Sequence, residues 1–297
     1  MRRTLIVAIG AVVLLALGLW QSGAWEQIAS FAAEQQRGFQ NIIARTLRAL
    51  KRGEPGALAL LMSACFAYGF VHAAGPGHGK ILVGGYGLAR KVPMLRLSLI
   101  ALGSSLGQAV TAIALAYAGL WTLTLSRDQM TQVAERAMAP LSYAAIAAVG
   151  LWLVLRGLRG FLRQTVNDHA ATGDGDTCAR CGHSHGPTLD QAQSAGTPRE
   201  AFALIASIAI RPCTGALFVL IITWQMGIAF AGIAGTVAMA LGTASVTVAV
   251  GLSAAGMRGS LIRGFAGSAA LGWAVPMIEI IAGGFVVALA AGLLLRI

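Results

Sequence analysis

The chain has 297 residues, of which 57% are hydrophobic and only 11% are charged, and its formal net charge is +11. Soluble domains carry roughly a quarter charged residues, so this composition excludes a soluble protein and indicates an integral membrane protein. Most basic residues lie beside apolar runs, where they anchor and orient helices, so we expect membrane lipid and not nucleic acid as a partner. The sequence identifies no protein partner.

Seven apolar stretches approach the length of about 20 residues that a helix needs to cross a bilayer. The first follows Arg2 and Arg3 and resembles a signal peptide, but residues 21–25 form a poor cleavage site, which favours a retained anchor. The predicted fold is therefore all-α, a polytopic membrane protein with about seven transmembrane helices. The predicted spans are residues 4–20, 57–75, 97–120, 140–157, 201–223, 228–252 and 270–295.

Basic residues follow the second, fourth and sixth predicted spans, and the positive-inside rule makes those ends cytoplasmic. This predicts a multi-pass membrane protein with a cytoplasmic N-terminus. Residues 21–56 are then expected outside, against the rule, since they carry five basic residues; their mixed charge and scattered apolar side chains resemble a surface amphipathic helix. The orienting residues are Arg90, Lys91, Arg96, Arg156, Arg159, Arg163, Arg258 and Arg263.

Two pairs of prolines share one spacing, since Pro76 and Pro212, like Pro140 and Pro276, are 136 positions apart. This predicts two three-helix repeats, and because each holds an odd number of spans, the second is inserted upside down, as in many secondary transporters. The predicted organisation is an N-terminal anchor with an outer segment, a first repeat, a cytoplasmic loop and a second repeat. Their bounds are 1–56, 57–163, 164–200 and 201–297.

The stretch VHAAGPGHGK, residues 71–80, interrupts the second span. Its Gly75-Pro76-Gly77 corresponds, at the same spacing, to Arg211-Pro212-Cys213 in the second repeat. Proline removes a backbone donor and glycine loosens the helix, so backbone groups are freed at membrane depth, where only protein or a water-filled cavity can satisfy them. Paired broken helices indicate a transporter's binding site, here near Gly75 and Gly77.

His72 and His78 flank this bend and are candidate metal ligands. In an unbroken helix, residues six apart would point about 240° away from each other, and the bend could bring them together. Neutral imidazole binds nickel, cobalt, copper and zinc. The alternative is that each histidine only satisfies freed backbone groups or another helix.

Five further polar residues lie near the predicted breaks. Lys80 fits an interfacial lysine whose charge reaches the headgroups. Arg211, deep in an apolar segment, could bind freed carbonyls or line a vestibule. Cys213 could be a soft ligand or a packing residue, and Thr214 follows it. Glu279 could couple transport to protons, balance Arg211 or bind the ion.

The predicted cytoplasmic loop contains CARCGHSHG, in which a Cys-x-x-Cys precedes a His-x-His. Four candidate metal ligands therefore lie within eight residues, without implying one tetrahedral site: Cys178, Cys181, His183 and His185. A redox-active cysteine pair would need a βαβ context, which the sequence lacks. The loop predicts ion capture or sensing on the cytoplasmic side.

The motifs HAAGPGHGK and RPCTGAL, together with a Cys/His-bearing loop, resemble the NicO/RcnA family of nickel and cobalt transporters over residues 57–295. The resemblance implies a polytopic inner-membrane carrier for Ni²⁺ or Co²⁺, commonly an exporter, with His72 and His78 as the motif histidines. The loop departs from the long histidine tracts of some members, since it offers only His169, His183 and His185 with two cysteines. The additional N-terminal span is a second departure.

The functional hypothesis is a secondary transporter that moves Ni²⁺ or Co²⁺ outward, is not an enzyme and has no cofactor, the ion being its substrate. Two imidazoles leave positions for water, for carbonyls near Gly75 and Gly77, and for Cys213, Thr214 or Glu279. No Walker nucleotide loop occurs, so an ion gradient or the membrane potential would supply the energy.

The alternatives are an uptake permease, which differs only in direction, and a membrane metal sensor acting through the CxxC-HxH loop. A thiol-disulfide carrier would use cysteines in its spans, and the sequence has no transmembrane Cys-x-x-Cys. A membrane metalloenzyme is disfavoured because no HExxH motif is present.

Overall fold

The computed structural model describes residues 24–75, 78–121, 126–170, 197–264 and 271–295. All regular structure in these ranges is helical, which confirms the predicted all-α class. A π-helical turn, Ala134–Met138, joins α5 to α6. The helices are α1 (Ala24–Lys51), α2 (Ala57–Ala74), α3 (His78–Ala89), α4 (Met94–Trp121), α5 (Arg127–Val133), α6 (Ala139–Ala170), α7 (Pro198–Ala209), α8 (Thr214–Gln225), α9 (Ala229–Gly264) and α10 (Leu271–Leu294).

Five stretches of helix are long and apolar enough to cross a membrane, and α7 with α8 makes a sixth if the pair counts as one broken span. Six of the seven predicted spans correspond to these elements, and the predicted span 4–20 lies outside the described residues. The chain is thus a multi-pass membrane protein. The five continuous stretches are Ala57–Ala74, Met94–Trp121, Asp128–Leu162, Ala229–Arg263 and Ala274–Leu294.

Helix breaks occur where the two Pro-containing motifs were predicted to place them. In the first motif α2 ends at Ala74 and α3 begins at His78; in the second α7 ends at Ala209 and α8 begins at Thr214. Gly75 has an extended backbone, with φ −63° and ψ 169°, so it leaves the helical conformation directly before the proline. A residue before proline is disfavoured in the helical region, which explains why α2 stops there.

The helices form two compact units. Among the described residues, unit 1 consists of 24–75, 108–121, 126–134 and 212–246, and unit 2 of 78–107, 135–170, 197–211, 247–264 and 271–295. The core of unit 1 includes Leu47, Leu61, Tyr68, Met130, Leu217 and Leu220. The core of unit 2 includes Leu82, Tyr86, Leu97, Leu204, Ile208 and Val286.

The predicted amphipathic segment is α1, a helix of 28 residues. It buries Ile43 and Leu47 completely while Arg37 and Arg45 remain exposed. The connection to α2 passes through Gly53 and Gly56, with φ +76° and +78°. These are left-handed conformations that glycine adopts without strain, so they allow the chain to reverse and α2 to pack against α1.

Small residues bring helices into close contact inside each unit. In unit 1, a side chain at Gly69 would overlap the backbone of Met239 in α9, and Thr243 Oγ1 donates a hydrogen bond to the Gly69 carbonyl at 3.2 Å. In unit 2, a side chain at Gly157 would lie 2.9 Å from the Pro276 carbonyl oxygen in α10. Without a hydrophobic driving force between helices in lipid, such close packing holds membrane helices together.

Candidate metal site

Two aromatic rings project from the last turns of α2 in unit 1. Tyr68 and His72 are four positions apart and therefore lie on one face of the helix. Their rings stack nearly parallel, with centroids 6.0 Å apart and an interplanar angle of 9°. Tyr68 is only 2% exposed, so its ring is held in place by packing and supports the half-buried ring of His72.

Helix α1 supplies polar partners to both rings. Gln36 Oε1 lies 3.2 Å from His72 Nδ1, and Gln40 Nε2 donates a hydrogen bond to Tyr68 Oη at 3.5 Å. One turn earlier on α1, Ala32 contacts the bend, since a Cβ placed on Gly75 would lie 3.1 Å from the Ala32 side chain. The residues that were predicted to form an outer surface helix therefore line the first broken-helix motif.

Cys213 reaches the same pair of rings from the second motif. It is the N-cap residue of α8, with an extended backbone, and its thiol lies within hydrogen-bonding reach of both His72 and Tyr68. Gly215 makes this approach possible, because any side chain there would overlap the Tyr68 ring. Unit 1 thus brings an imidazole and a thiol together, each beside a helix break.

The remaining candidates near the motifs are placed as follows. Lys80 is half-buried in the first turn of α3, and Thr214 is exposed at the start of α8. Gly77 and the side chain of His78 lie outside the described residues. The same is true of the predicted loop ligands Cys178, Cys181, His183 and His185.

Within the described part of the chain, no group of three or more His, Cys, Asp or Glu side chains is close enough to hold a metal ion. His72 and Cys213 are therefore a donor pair and not a complete coordination shell.

Unit 2 contains a second polar cluster, built around Glu200 at the start of α7. Thr197 caps this helix by accepting a hydrogen bond from the Glu200 backbone, and Pro198 occupies its first turn. The Glu200 carboxylate accepts hydrogen bonds from Tyr86 Oη at 2.9 Å and from Arg90 at 3.4 Å. Arg90 is 4% exposed, so this pairing neutralises a buried cation. Tyr86 and Glu200 also line a cavity of about 430 Å³.

Glu279, which the sequence placed well inside a span, lies in the same unit. Its carboxylate is 3.5 Å from Arg156 Nε, and it is an electrostatic neighbour of Arg258. Arg156 and Arg90 each approach the Trp152 ring, at 5.7 and 5.9 Å from its centroid. Arg258 is only 6% exposed, so Glu279 lies near one buried guanidinium, that of Arg258, and one partly exposed guanidinium, that of Arg156.

Arg211 contacts a tyrosine in unit 2. It donates a hydrogen bond to Tyr143 Oη, and its guanidinium lies over the Tyr143 ring at 5.3 Å from the centroid. Glu279 is paired with Arg156. The predicted roles of Glu279 in proton coupling, charge balance or ion binding stay predictions.

Sequence reasoning missed Tyr68, Gln36 and Gln40. Tyr68 was read as part of an apolar span, and the glutamines as part of a surface helix. The signal that could have found the glutamines is their spacing, since positions 36, 40, 43 and 47 form one helical face that otherwise carries Ile43 and Leu47. Two polar residues on a face that packs inward predict buried polar partners.

The fold defines the class of the protein: a multi-pass α-helical membrane protein in which an imidazole and a thiol lie beside broken helices. The sequence model of the NicO family, described as high-affinity nickel-transport protein, matches residues 58–172 and 163–297. The chain belongs to the NicO family, a family of metal transport proteins, as its motifs had suggested.

The chain is also similar to a protein of Haemophilus influenzae that is provisionally named a nickel/cobalt efflux system. The two are 27% identical over 227 residues, which is 71% of this chain and 70% of the relative. No solved structure matches the chain with significant similarity.

Proposed function

We propose that the chain is a secondary transporter that carries Ni²⁺ or Co²⁺ out of the cytoplasm, across the inner membrane of a bacterium, with its N-terminus cytoplasmic. Membership of the NicO family and the name of the Haemophilus influenzae relative support the substrate and the direction. The observation that carries the proposed ion site is the meeting of His72 and Cys213 in unit 1, each beside a break in an apolar helix.

The chemistry of this pair fits a late transition metal. Imidazole suits nickel, cobalt, copper and zinc, and a thiolate adds a soft ligand. Cys213 caps the N-terminus of α8, where backbone N–H groups accommodate negative charge. Water, carbonyls near Gly75 and Gly77, and the Thr214 hydroxyl are proposed for the remaining positions of the shell.

His78 is proposed as a further metal ligand on its sequence motif alone. Cys178, Cys181, His183 and His185 are proposed as a separate capture site on the cytoplasmic side, also from the sequence alone. Glu279 is engaged by Arg156, so we assign it a counter-charge role in preference to that of an ion ligand.

Two features support an alternating-access mechanism built on inverted repeats. The first broken helix passes from unit 1 to unit 2, and the second passes from unit 2 to unit 1. Each is followed by a long helix, α4 or α9, that contributes to both units. The same order of broken helix and long helix in both halves is what a transporter built from two structural repeats would have.

The direction of transport sets an energetic requirement. An inward-negative potential favours entry of a divalent cation by roughly 4.6 kcal/mol per 100 mV. Export therefore needs a coupled ion movement, and proton antiport is the coupling we propose. Uptake, the alternative, would need none; the family description names nickel transport without a direction, so both directions are tested together.

The deciding experiment is metal flux in proteoliposomes of known orientation, with Ni²⁺, Co²⁺, Zn²⁺ and Cu²⁺ under imposed proton gradients. We expect proton-driven Ni²⁺ or Co²⁺ movement from the cytoplasmic face, abolished by His72→Ala and reduced at least 10-fold by Cys213→Ser, in line with loss of a ligand. Cys65→Ser is the matched control, because Cys65 is fully buried in α2 as a packing residue. Full transport by His72→Ala would refute the site.

Two further arms separate the alternatives. Movement only toward the cytoplasmic face, driven by the potential, would identify an uptake permease. Deletion of residues 171–196 tests the sensor hypothesis: a transporter should retain flux with a weaker apparent affinity, whereas a sensor acting through the loop should lose all activity. A cysteine-free protein that still transports would exclude a thiol-disulfide carrier.

A further inference from the structure

One face of α1 lies against the residues of the first motif in register. Three residues on this face of α1, read in chain order, meet three residues of α2 and the bend in reverse chain order. The three matched pairs are Ala32 with Gly75, Gln36 with His72 and Gln40 with Tyr68. Each step on α1 is four residues, about one helical turn, so these contacts form one continuous seam.

The two glutamines are unexpected on this face. Farther along α1 the same face carries Ile43 and Leu47, both 0% exposed. Burying an amide is unfavourable unless it is hydrogen-bonded, so a packing seam alone would favour apolar residues at positions 36 and 40. What distinguishes these positions is that each meets a polar ring atom, Nδ1 of His72 or Oη of Tyr68.

The Gln36 contact determines the chemistry of the ring. An amide oxygen can only accept, so a bond from Nδ1 to Gln36 Oε1 requires the proton of the neutral imidazole to be on Nδ1. The lone pair is then on Nε2, which is the ring nitrogen that can bind a metal ion. Hydrogen bonds of this kind orient metal-binding histidines and raise their basicity.

We infer that Gln36 is a positioning residue of the ion site, which holds His72 in the Nδ1–H tautomer and directs Nε2 to the transported cation. Gln40 positions the Tyr68 ring by donating a hydrogen bond to its hydroxyl, and His72 stacks on that ring. The inference rests on the proposed function. Helix α1 lies before residue 58, outside the region that the family model matches. The inference assigns this helix a role in the ion site.

The first test reads the tautomer directly and needs no transport. The chain has five histidines, so ¹⁵N NMR of protein labelled at the imidazole nitrogens, with His72→Gln to assign the signals, resolves the protonated and bare nitrogens of His72. We expect Nδ1–H in the wild type and a mixture of tautomers in Gln36→Leu. The matched control is Gln35→Leu, one position away and exposed, which should leave the spectrum unchanged.

The second test measures Co²⁺ and Ni²⁺ affinity by calorimetry in a full-length background that carries Cys178→Ser, Cys181→Ser, His183→Ala and His185→Ala. These changes remove the separate site proposed in the loop. Loss of an outer hydrogen bond to a metal-binding histidine typically weakens binding roughly 10- to 100-fold, which is the loss expected for Gln36→Leu. Gln36→Glu keeps an acceptor oxygen and should restore affinity to within about 3-fold of the wild type, a conservative rescue of that bond.

The possible results distinguish failure of the Gln36 inference from failure of the proposed ion site. If His72→Ala abolishes binding but Gln36→Leu changes neither tautomer nor affinity, the positioning role is wrong and the proposed function stands. If Gln36→Leu and Gln36→Glu weaken binding equally, Gln36 only packs against the motif, and the inference is again overturned. If His72→Ala binds and transports normally, the ion site itself is refuted.

Discussion

Replacing Glu279 by glutamine should destabilise the protein, although glutamine has nearly the same shape. The carboxylate lies 3.5 Å from Arg156 and is an electrostatic neighbour of the buried Arg258. Arg258 Nε has no hydrogen-bond partner in the part of the chain that the structure describes, so its compensation there is electrostatic. Removing the negative charge weakens the electrostatic compensation of both guanidiniums inside unit 2.

The expected loss of unfolding free energy depends on how completely Arg156 and Glu279 are buried. Breaking a fully buried ion pair costs roughly 3–5 kcal/mol. The Arg156 side chain is 29% exposed and that of Glu279 10%, so part of the charge on Arg156 can be solvated. We therefore expect a loss of about 2 kcal/mol, below that range. For a chain of this size that corresponds to a fall of about 4–8 °C in the unfolding midpoint.

The assay is thermal unfolding in detergent, followed by the fluorescence of the six tryptophans. Glu279→Gln should cost more than Arg156→Gln, because in the second variant Glu279 still balances Arg258. The double variant should lose less than the sum of the two, with a coupling of about 1 kcal/mol. Arg159→Gln, exposed on the same helix, is the control and should be neutral.

Additive effects of Glu279→Gln and Arg156→Gln on the unfolding free energy would refute the counter-charge role.

The Glu279→Gln variant also tests whether Glu279 carries the coupled proton. If Glu279 is a counter-charge, Glu279→Gln protein that has inserted should retain proton-driven flux. If it carries the coupled proton, flux should lose its dependence on the proton gradient even in folded protein.

The remaining predictions concern packing in unit 1. Gly215→Ala places a methyl group in the Tyr68 ring, so Co²⁺ affinity should fall about 10-fold; an unchanged dissociation constant would show that the ring is not needed to support the site. Gly69→Leu should lower the unfolding midpoint by about 5 °C or more through overpacking, whereas Gly256→Leu, with open space around it, should not. Thr243→Val removes a hydrogen bond between helices and should cost about 0.6 kcal/mol in unfolding experiments; no loss would mean that water replaces the bond.

The sequence by itself determined the class of fold and the kind of chemistry. Long apolar runs specify membrane helices because the bilayer leaves no other way to satisfy the backbone, and Pro76 and Pro212 specify where two of them break. His72 and Cys213 were also candidates from the sequence alone, because they lie beside Pro76 and Pro212 in the two interrupted spans. These are local properties that a short window of sequence contains.

Only the tertiary structure decided which of these residues meet. Gln36 and His72 are 36 positions apart, and Arg156 and Glu279 are farther still, so their pairing depends on the register in which helices pack. That register is set by small contact residues such as Gly69 and by the turns between helices, and many registers satisfy the same apolar pattern. The partner of each buried polar group is therefore fixed by helix packing, which local periodicity does not encode.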